Sequence, residues 1–160
     1  MLSFSIHISV ARRVAWAAQY HPSKGWLKSH NYNPDLEGCV ELPNITTYLK
    51  RATNEPVLVL LHELAHAYHD KAHGFGYAPL NKAYQRFMAD ESTQNVLRTT
   101  RGHFSHYGRS NSKEFFAEMT EAYYWNNDYF PFCRSELVDY DPELAKVIHT
   151  MWSTDPSQKK

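Results

Sequence analysis

The stretch VLVLLHELAHAYHDKAH, residues 57–73, is the strongest helix signal in the chain. Asn54 can cap this helix, Pro56 stands in the first turn where a missing N–H costs little, and Gly74 follows the last turn. Apolar side chains flank a polar stripe that consists of His62, His66, Asp70 and His73. We therefore predict a largely buried helix that carries a row of polar groups along one side.

Residues 62–66 read HELAH, and each polar position has a specific chemical use. Residues four apart project from one helical face, so His62 and His66 can direct ring nitrogens at one ion, at about 2.0–2.1 Å for zinc. Glu63 then points beside the ion, where it can take a proton from a zinc-bound water and pass it to a leaving amine. The alternative is two ordinary histidines on an amphipathic helix, but the position inside a strong apolar helix favours a zinc site.

A hydrolytic zinc needs a third protein ligand and an open coordination position. The pattern HExxHxxGxxH is not met, because His69 stands at the glycine position and Ala72 at the position of the third histidine. We interpret His69 and His73 as surface residues near a helix C-terminus, where the helix dipole favours a positive charge. Asp70 shares the stripe of His62 and His66, and we assign it to the surroundings of the ligands.

A glutamate on a later helix is the other source of a third ligand. The segment SKEFFAEMTEA, residues 112–122, places three glutamates on one helix face, and periodicity does not choose among them: Glu114, Glu118 and Glu121. Two carboxylates one turn apart suit a division of roles. The first binds zinc, and the second accepts the outer ring N–H of a ligand histidine and fixes its tautomer.

Composition limits the other classes of function. Lys plus Arg equals Asp plus Glu at 17 each, so no net field attracts nucleic-acid phosphates or anionic lipid, and we expect neither partner. The 160 residues are enough for a single domain, residues 1–160, and we expect a monomer. No stretch reaches the length of about 20 apolar residues that spans a membrane.

The compartment and the redox state stay open. His7 and the pair Arg12-Arg13 interrupt the N-terminal stretch before a signal-peptide core develops, although a secreted protein with a truncated N-terminus would read the same way. Cys39 and Cys133 lie in no CxxC pattern, so they are either one disulfide or two separate buried thiols.

Weaker patterns predict the remaining elements. They are a helix over residues 9–20, a short helix with Trp26 and Leu27, a strand over 38–42, a helical turn through Leu49, a helix over 80–89, extended structure with a turn near 101–102, a helix capped by Asn111 or Ser112, and a last helix that starts after Asp141-Pro142 and runs to about Trp152. This mixture predicts an α+β fold.

The stretches HELAHAYHD and SHYGRSNSKEFFAE resemble the catalytic domain of anthrax lethal factor and the related bacterial Pro-Pro endopeptidases. The resemblance covers residues 56–124. It implies that Glu114 is the third zinc ligand, that Tyr107 points into the site, and that Glu118 lies behind the ligands. A phenol O–H in this position would stabilise a developing oxyanion; the alternative for Tyr107 is a tyrosine of the core.

The resemblance also implies a zincin-like fold, with a small twisted sheet packed on the helix of HELAH and a helical C-terminal part that supplies Glu114. The expected function is a zinc-dependent peptidase that acts on a peptide or protein substrate. Two other classes are a zincin that binds zinc and a partner without catalysis, and a zinc protease that acts at DNA. Retention of Glu63 argues against the first, and neutral charge without a zinc-ribbon cysteine set argues against the second.

Overall fold

The computed structural model describes residues 5–8, 18–54, 59–100 and 102–154. Within these ranges the fold is α+β, as predicted, and the bounds of its elements are as follows. The strands are β1 (Ser5–Ile8), β2 (Gln19–Tyr20), β3 (Cys39–Leu42), β4 (Val96–Leu97) and β5 (His103–Phe104), and the α-helices are α1 (Lys24–Ser29), α2 (Ile45–Asn54), α3 (Val59–Tyr68), α4 (Ala78–Ala89), α5 (Ser112–Tyr124), α6 (Arg134–Tyr140) and α7 (Pro142–Ser153).

The predicted strand over residues 38–42 is confirmed as β3, the centre of a small sheet with the order β1-β3-β2. β1 runs parallel to β3, whereas β2 runs antiparallel and pairs Tyr20 with Val40. The predicted helix over 9–20 is wrong at its C-terminal end, because Gln19 and Tyr20 form β2; residues 9–17 lie outside the described residues. β2 is therefore the outer strand on one side of the sheet.

α3 lies between this sheet and the other helices. On one side, Ala67 packs with Tyr20 and Val40 of the sheet. On the other side, Ala65 and Tyr68 join the main core with residues of α4, α5, α6 and α7. Burial on both sides explains the nearly continuous apolar sequence of this helix.

The helix of HELAH does not continue regularly to Gly74, since a π-helix over His69–His73 follows α3. The interpretation of His69 and His73 as surface residues is wrong. His69 is fully buried against Phe75 and Phe116, and Nε2 of His73 donates to the carbonyl oxygen of Met151 in α7 at 2.9 Å. The wider π turn directs these side chains into the core and against α7.

Other predicted elements agree with α1, α4, α5, α7 and the hairpin of β4 and β5. α6 was not predicted. Of its described residues Leu137 alone is buried, and a single buried position gives no helical apolar period. Asn54, expected as a cap, is the last residue of α2, and Pro56 lies outside the described residues.

Cys39 and Cys133 are free, partly exposed thiols, so the disulfide and the buried-thiol interpretations are both wrong. In the described part of the chain, no helix has the length and apolar character that crossing a bilayer requires.

Candidate metal centre

Three predicted ligands meet where α3 faces the first turn of α5. Nε2 of His62 lies 2.9 Å from Oε2 of Glu114, and Nε2 of His66 lies 3.3 Å from the same oxygen. The two imidazole rings are nearly perpendicular, with their centroids 4.8 Å apart. All three side chains are partly buried, at 12–19% exposure, so solvent still reaches them.

This donor set fits a zinc ion. A tetrahedral zinc with ligand bonds of about 2.0–2.1 Å separates its ligand atoms by about 3.3 Å. The distance from Glu114 to His66 equals that value, the distance from Glu114 to His62 is shorter, and all three donor atoms lie within 4.8 Å of one another. Two imidazoles and one carboxylate also match the ligand types that catalytic zinc sites use, with a fourth position left for water.

Glu114 reaches the histidines because Asn111 fixes the start of α5. The side-chain oxygen of Asn111 accepts hydrogen bonds from the backbone N–H groups of Lys113, at 2.9 Å, and Glu114, at 3.1 Å. Glu114 is the third residue of the helix, and the cap sets where its side chain points. The sequence NSKE therefore defines both the helix start and the position of the third donor.

Two more glutamates of α5 lie behind the His62 ring. Oε2 of Glu121 lies 3.1 Å from Nδ1 of His62, whereas the nearest oxygen of Glu118 is 3.7 Å from that nitrogen. The residue that accepts the outer ring N–H is therefore Glu121 rather than Glu118. Both carboxyls are buried, at 1% and 3% exposure, so water does not compete for this bond.

The charges around His62 favour a cation at this place. Burial by itself would lower the pKa of His62, but its hydrogen bonds with Glu114 and Glu121 outweigh burial and raise that pKa well above the ordinary value. For Glu114, an acid, burial acts in the other direction and raises the pKa. The hydrogen bonds of His62 and His66 outweigh burial and hold that pKa well below the usual range. A proton or a metal ion between these groups relieves the concentration of negative charge.

Burial also raises the pKa of Glu118 well above its usual range. This favours an uncharged carboxyl, and Oε2 of Glu118 has no hydrogen-bond partner among the described residues. Burial also raises the pKa of Glu121, and the hydrogen bond with His62 opposes this effect.

Glu63 lies on α3 directly after His62, and its carboxylate is hydrogen-bonded to a strand of the sheet. Its Oε2 accepts a hydrogen bond of 2.6 Å from the backbone N–H of Tyr20 in β2. Burial raises the pKa of Glu63, against the opposing charges of His66 and His62 and the hydrogen bond of Tyr20. Asp70, which we assigned to the surroundings of the ligands, accepts a hydrogen bond of 2.6 Å from the phenol of Tyr20 and so connects to the site through that residue.

Tyr107 opens a short 3₁₀-helix, Tyr107–Arg109, that precedes α5. Its ring centroid lies 6.3 Å from that of His62, and the side chain is 46% exposed, so it is not a tyrosine of the core. Burial raises the pKa of its phenol, as do the charges of Glu114, Glu118 and Glu63. The phenol therefore keeps its proton and can donate a hydrogen bond beside the ligands.

The turn that carries Tyr107 is anchored by a histidine and a glycine. Nδ1 of the buried His106 accepts a hydrogen bond of 2.9 Å from the backbone N–H of Gly108. A Cβ at residue 108 would lie 3.1 Å from that nitrogen and 3.2 Å from Cα of Phe115, which is closer than a side chain normally permits. Gly108 thus lets the turn lie directly on α5, next to the ligands.

No protein-family model matches the chain, and comparisons with curated proteins and with solved structures give no significant match. The lethal factor-like resemblance therefore stays a prediction. The chemical interpretation of the site rests on its own geometry, in which His62, His66 and Glu114 converge with Glu63 and Tyr107 beside them. Sequence reasoning missed Tyr20, which has no local signal because it lies 43 residues before Glu63.

Proposed function

We propose that this chain is a zinc-dependent peptidase of the zincin type, with His62, His66 and Glu114 as zinc ligands. The observation that carries the proposal is the convergence of these donors from two helices, at separations that suit a tetrahedral zinc. The small sheet packed on α3, with a helical part that supplies Glu114, agrees with the arrangement expected of a zincin.

The residues around the donors suit hydrolysis of a peptide bond. A zinc ion held there would polarise the scissile carbonyl and lower the pKa of a water molecule. Glu63 accepts a proton from the attacking water through its carboxylate and later donates it to the leaving amine. Tyr107 donates a hydrogen bond from its phenol O–H to the oxyanion that develops at the scissile carbonyl oxygen.

The substrate class follows from the reaction rather than from a recognition surface. Tyr107 lies beside His62 and is 46% exposed, so it can contact an extended peptide at the site. We propose a peptide or protein substrate without a further sequence preference.

The test combines metal analysis with a peptide-library cleavage assay on wild type, Glu63→Gln and Glu114→Ala. We expect one zinc per chain in wild type and in Glu63→Gln, and cleavage by wild type alone. Glu114→Ala should lose zinc, because only two of the three protein ligands that a catalytic zinc needs then remain. Wild type that binds no zinc after reconstitution would contradict the metal site. Zinc binding without cleavage of any peptide would instead favour a zinc-binding domain without catalysis.

A further inference from the structure

One backbone N–H of β2 is directed out of the sheet. His21, the residue after β2, directs both of its backbone groups toward β3. Its N–H donates to the carbonyl oxygen of Cys39 at 3.1 Å, and its carbonyl oxygen accepts from the N–H of Gly38 at 2.7 Å. Consecutive residues of a strand direct these groups to opposite sides. The N–H of Tyr20 therefore points away from β3, and Oε2 of Glu63 accepts its hydrogen bond.

The side chain of Tyr20 makes a second attachment to the same helical segment. Its phenol donates to Oδ2 of Asp70 at 2.6 Å, seven residues after Glu63, or two helical turns. Tyr20 is 5% exposed and packs with Val40 and Ala67, so little water reaches these bonds. One residue of the sheet is thus bonded to two carboxylates of the helix that carries the candidate ligands.

We propose that Tyr20 is a positioning residue for the general base, with its N–H holding one oxygen of Glu63 and Asp70 holding Tyr20 in place. The inference rests on the proposed role of Glu63. With Oε2 held by the sheet, Oε1 is the oxygen that remains for proton transfer, and the side chain samples fewer rotamers between turnovers. Restraint of this kind lowers the cost of reaching the productive geometry.

The chain contains a matched phenol-to-carboxylate bond that does not involve Tyr20, Glu63 or Asp70. The phenol of Tyr140, at the end of α6, donates to Oδ2 of Asp90, after α4, at 2.7 Å. Tyr20→Phe and Tyr140→Phe therefore each remove one phenol-to-carboxylate hydrogen bond of the same kind. Only the first of these bonds is connected to Glu63, so the pair separates a loss of positioning from a general loss of stability.

The kinetic test compares these two variants with wild type at equal zinc content. We expect Tyr20→Phe to lower kcat about 10-fold with KM unchanged, because it loosens part of the geometry on which proton transfer depends. Tyr140→Phe should keep kcat within about twofold. Asp70→Asn should lower kcat by a similar factor, and the double variant Tyr20→Phe/Asp70→Asn should be no slower than either single variant. Wild-type kcat in Tyr20→Phe, or multiplicative effects in the double variant, would overturn the inference.

A second measurement does not depend on activity. In ¹⁵N-labelled protein, the amide proton of Tyr20 should be protected from hydrogen exchange and shifted downfield, and Glu63→Ala should remove both properties. Tyr140→Phe should leave that amide unchanged. An unchanged Tyr20 amide in Glu63→Ala would overturn the link even if the protein cleaves peptides. If Glu63→Ala removes the protection and the downfield shift of the Tyr20 amide but the wild type cleaves no peptide, the hydrogen bond between Tyr20 and Glu63 is confirmed. Its catalytic role is then overturned, together with the proposed function.

Discussion

Oε2 of Glu121 lies 3.1 Å from Nδ1 of His62, while Nε2 on the other side of the same ring lies 2.9 Å from Oε2 of Glu114. The two glutamates stand seven residues apart on α5, which is about two helical turns. The ring of His62 is therefore held between them. Nδ1 bonded to Glu121 leaves Nε2 as the nitrogen available to a metal, which fixes the tautomer that a zinc ligand needs.

Glu121→Ala should weaken zinc binding about 10–100-fold, the usual cost of removing a carboxylate behind a ligand histidine. Competition with a chromophoric chelator measures this affinity directly. Glu118→Ala is the matched control: its carboxyl is also buried but 3.7 Å from Nδ1, and it should change zinc affinity less than Glu121→Ala does. The opposite order would assign the bond to Glu118.

Tyr107→Phe should leave zinc content unchanged and lower kcat about 100–1,000-fold, the range found when one oxyanion donor is removed. The physical reason is the loss of a neutral donor whose pKa is raised by burial and by nearby carboxylates, so that it stays protonated throughout turnover. Tyr124→Phe provides the control, since Tyr124 is similarly exposed, at 49%, at the far end of α5. Steady-state kinetics with equal rates for both variants would reduce Tyr107 to a surface residue.

Asn111→Ala should affect stability and zinc binding together. The substitution removes the acceptor of two backbone N–H groups at the start of α5 and should lower the free energy of unfolding by about 1 kcal/mol. Because the fraying turn contains Glu114, zinc affinity should fall as well. Asn111→Asp keeps a capping oxygen and should retain both properties. Denaturant unfolding without metal, paired with zinc titration, checks the prediction; loss of stability with unchanged zinc affinity would contradict it.

The sequence predicts the neighbouring positions of His62 and His66 well, because helical spacing alone places them on one face. It does not rank the glutamates of α5, because Glu114, Glu118 and Glu121 share a face by the same rule. Their roles depend on where α5 crosses α3, and this crossing is set by tertiary packing around residues such as Phe115 and Phe116. The lethal factor-like resemblance selects Glu114 as the ligand and Glu118 behind it. In the structure both Glu118 and Glu121 lie behind the His62 ring, and Glu121 is the one within hydrogen-bond distance.

The parts that sequence reasoning missed depend on contacts between distant segments. Tyr20 reads as the end of a helix in its local sequence, yet it forms an outer strand because its partners are Val40 and Glu63. The π-helix has the same origin: nothing local distinguishes residues 69–73 from a regular helix, but the wider turn buries His69 and lets His73 reach Met151. Propensity is a weak guide where tertiary contacts decide the backbone.

The buried His69 should make the stability of the fold sensitive to mild acid. Its ring lies 4.8 Å from Phe116 and 5.1 Å from Phe75, measured between centroids, and neither ring nitrogen has a hydrogen-bond partner among the described residues. The pKa of His69 is lowered to about 4, mainly by burial and also by the nearby charges of His66 and His73, with a smaller opposing effect of Asp70.

Between pH 6.5 and about 4, the unfolded chain binds a proton at His69 that the folded chain does not. The contribution of His69 is therefore fully present above pH 6.5 and declines as the pH falls, by up to about 1.4 kcal/mol per pH unit. His69→Phe removes this proton linkage, so its free energy of unfolding should decline less steeply than that of wild type. Urea titrations of both proteins without metal at pH 7, 6 and 5 measure the two slopes. Parallel slopes would show that the folded state already accommodates a proton on His69.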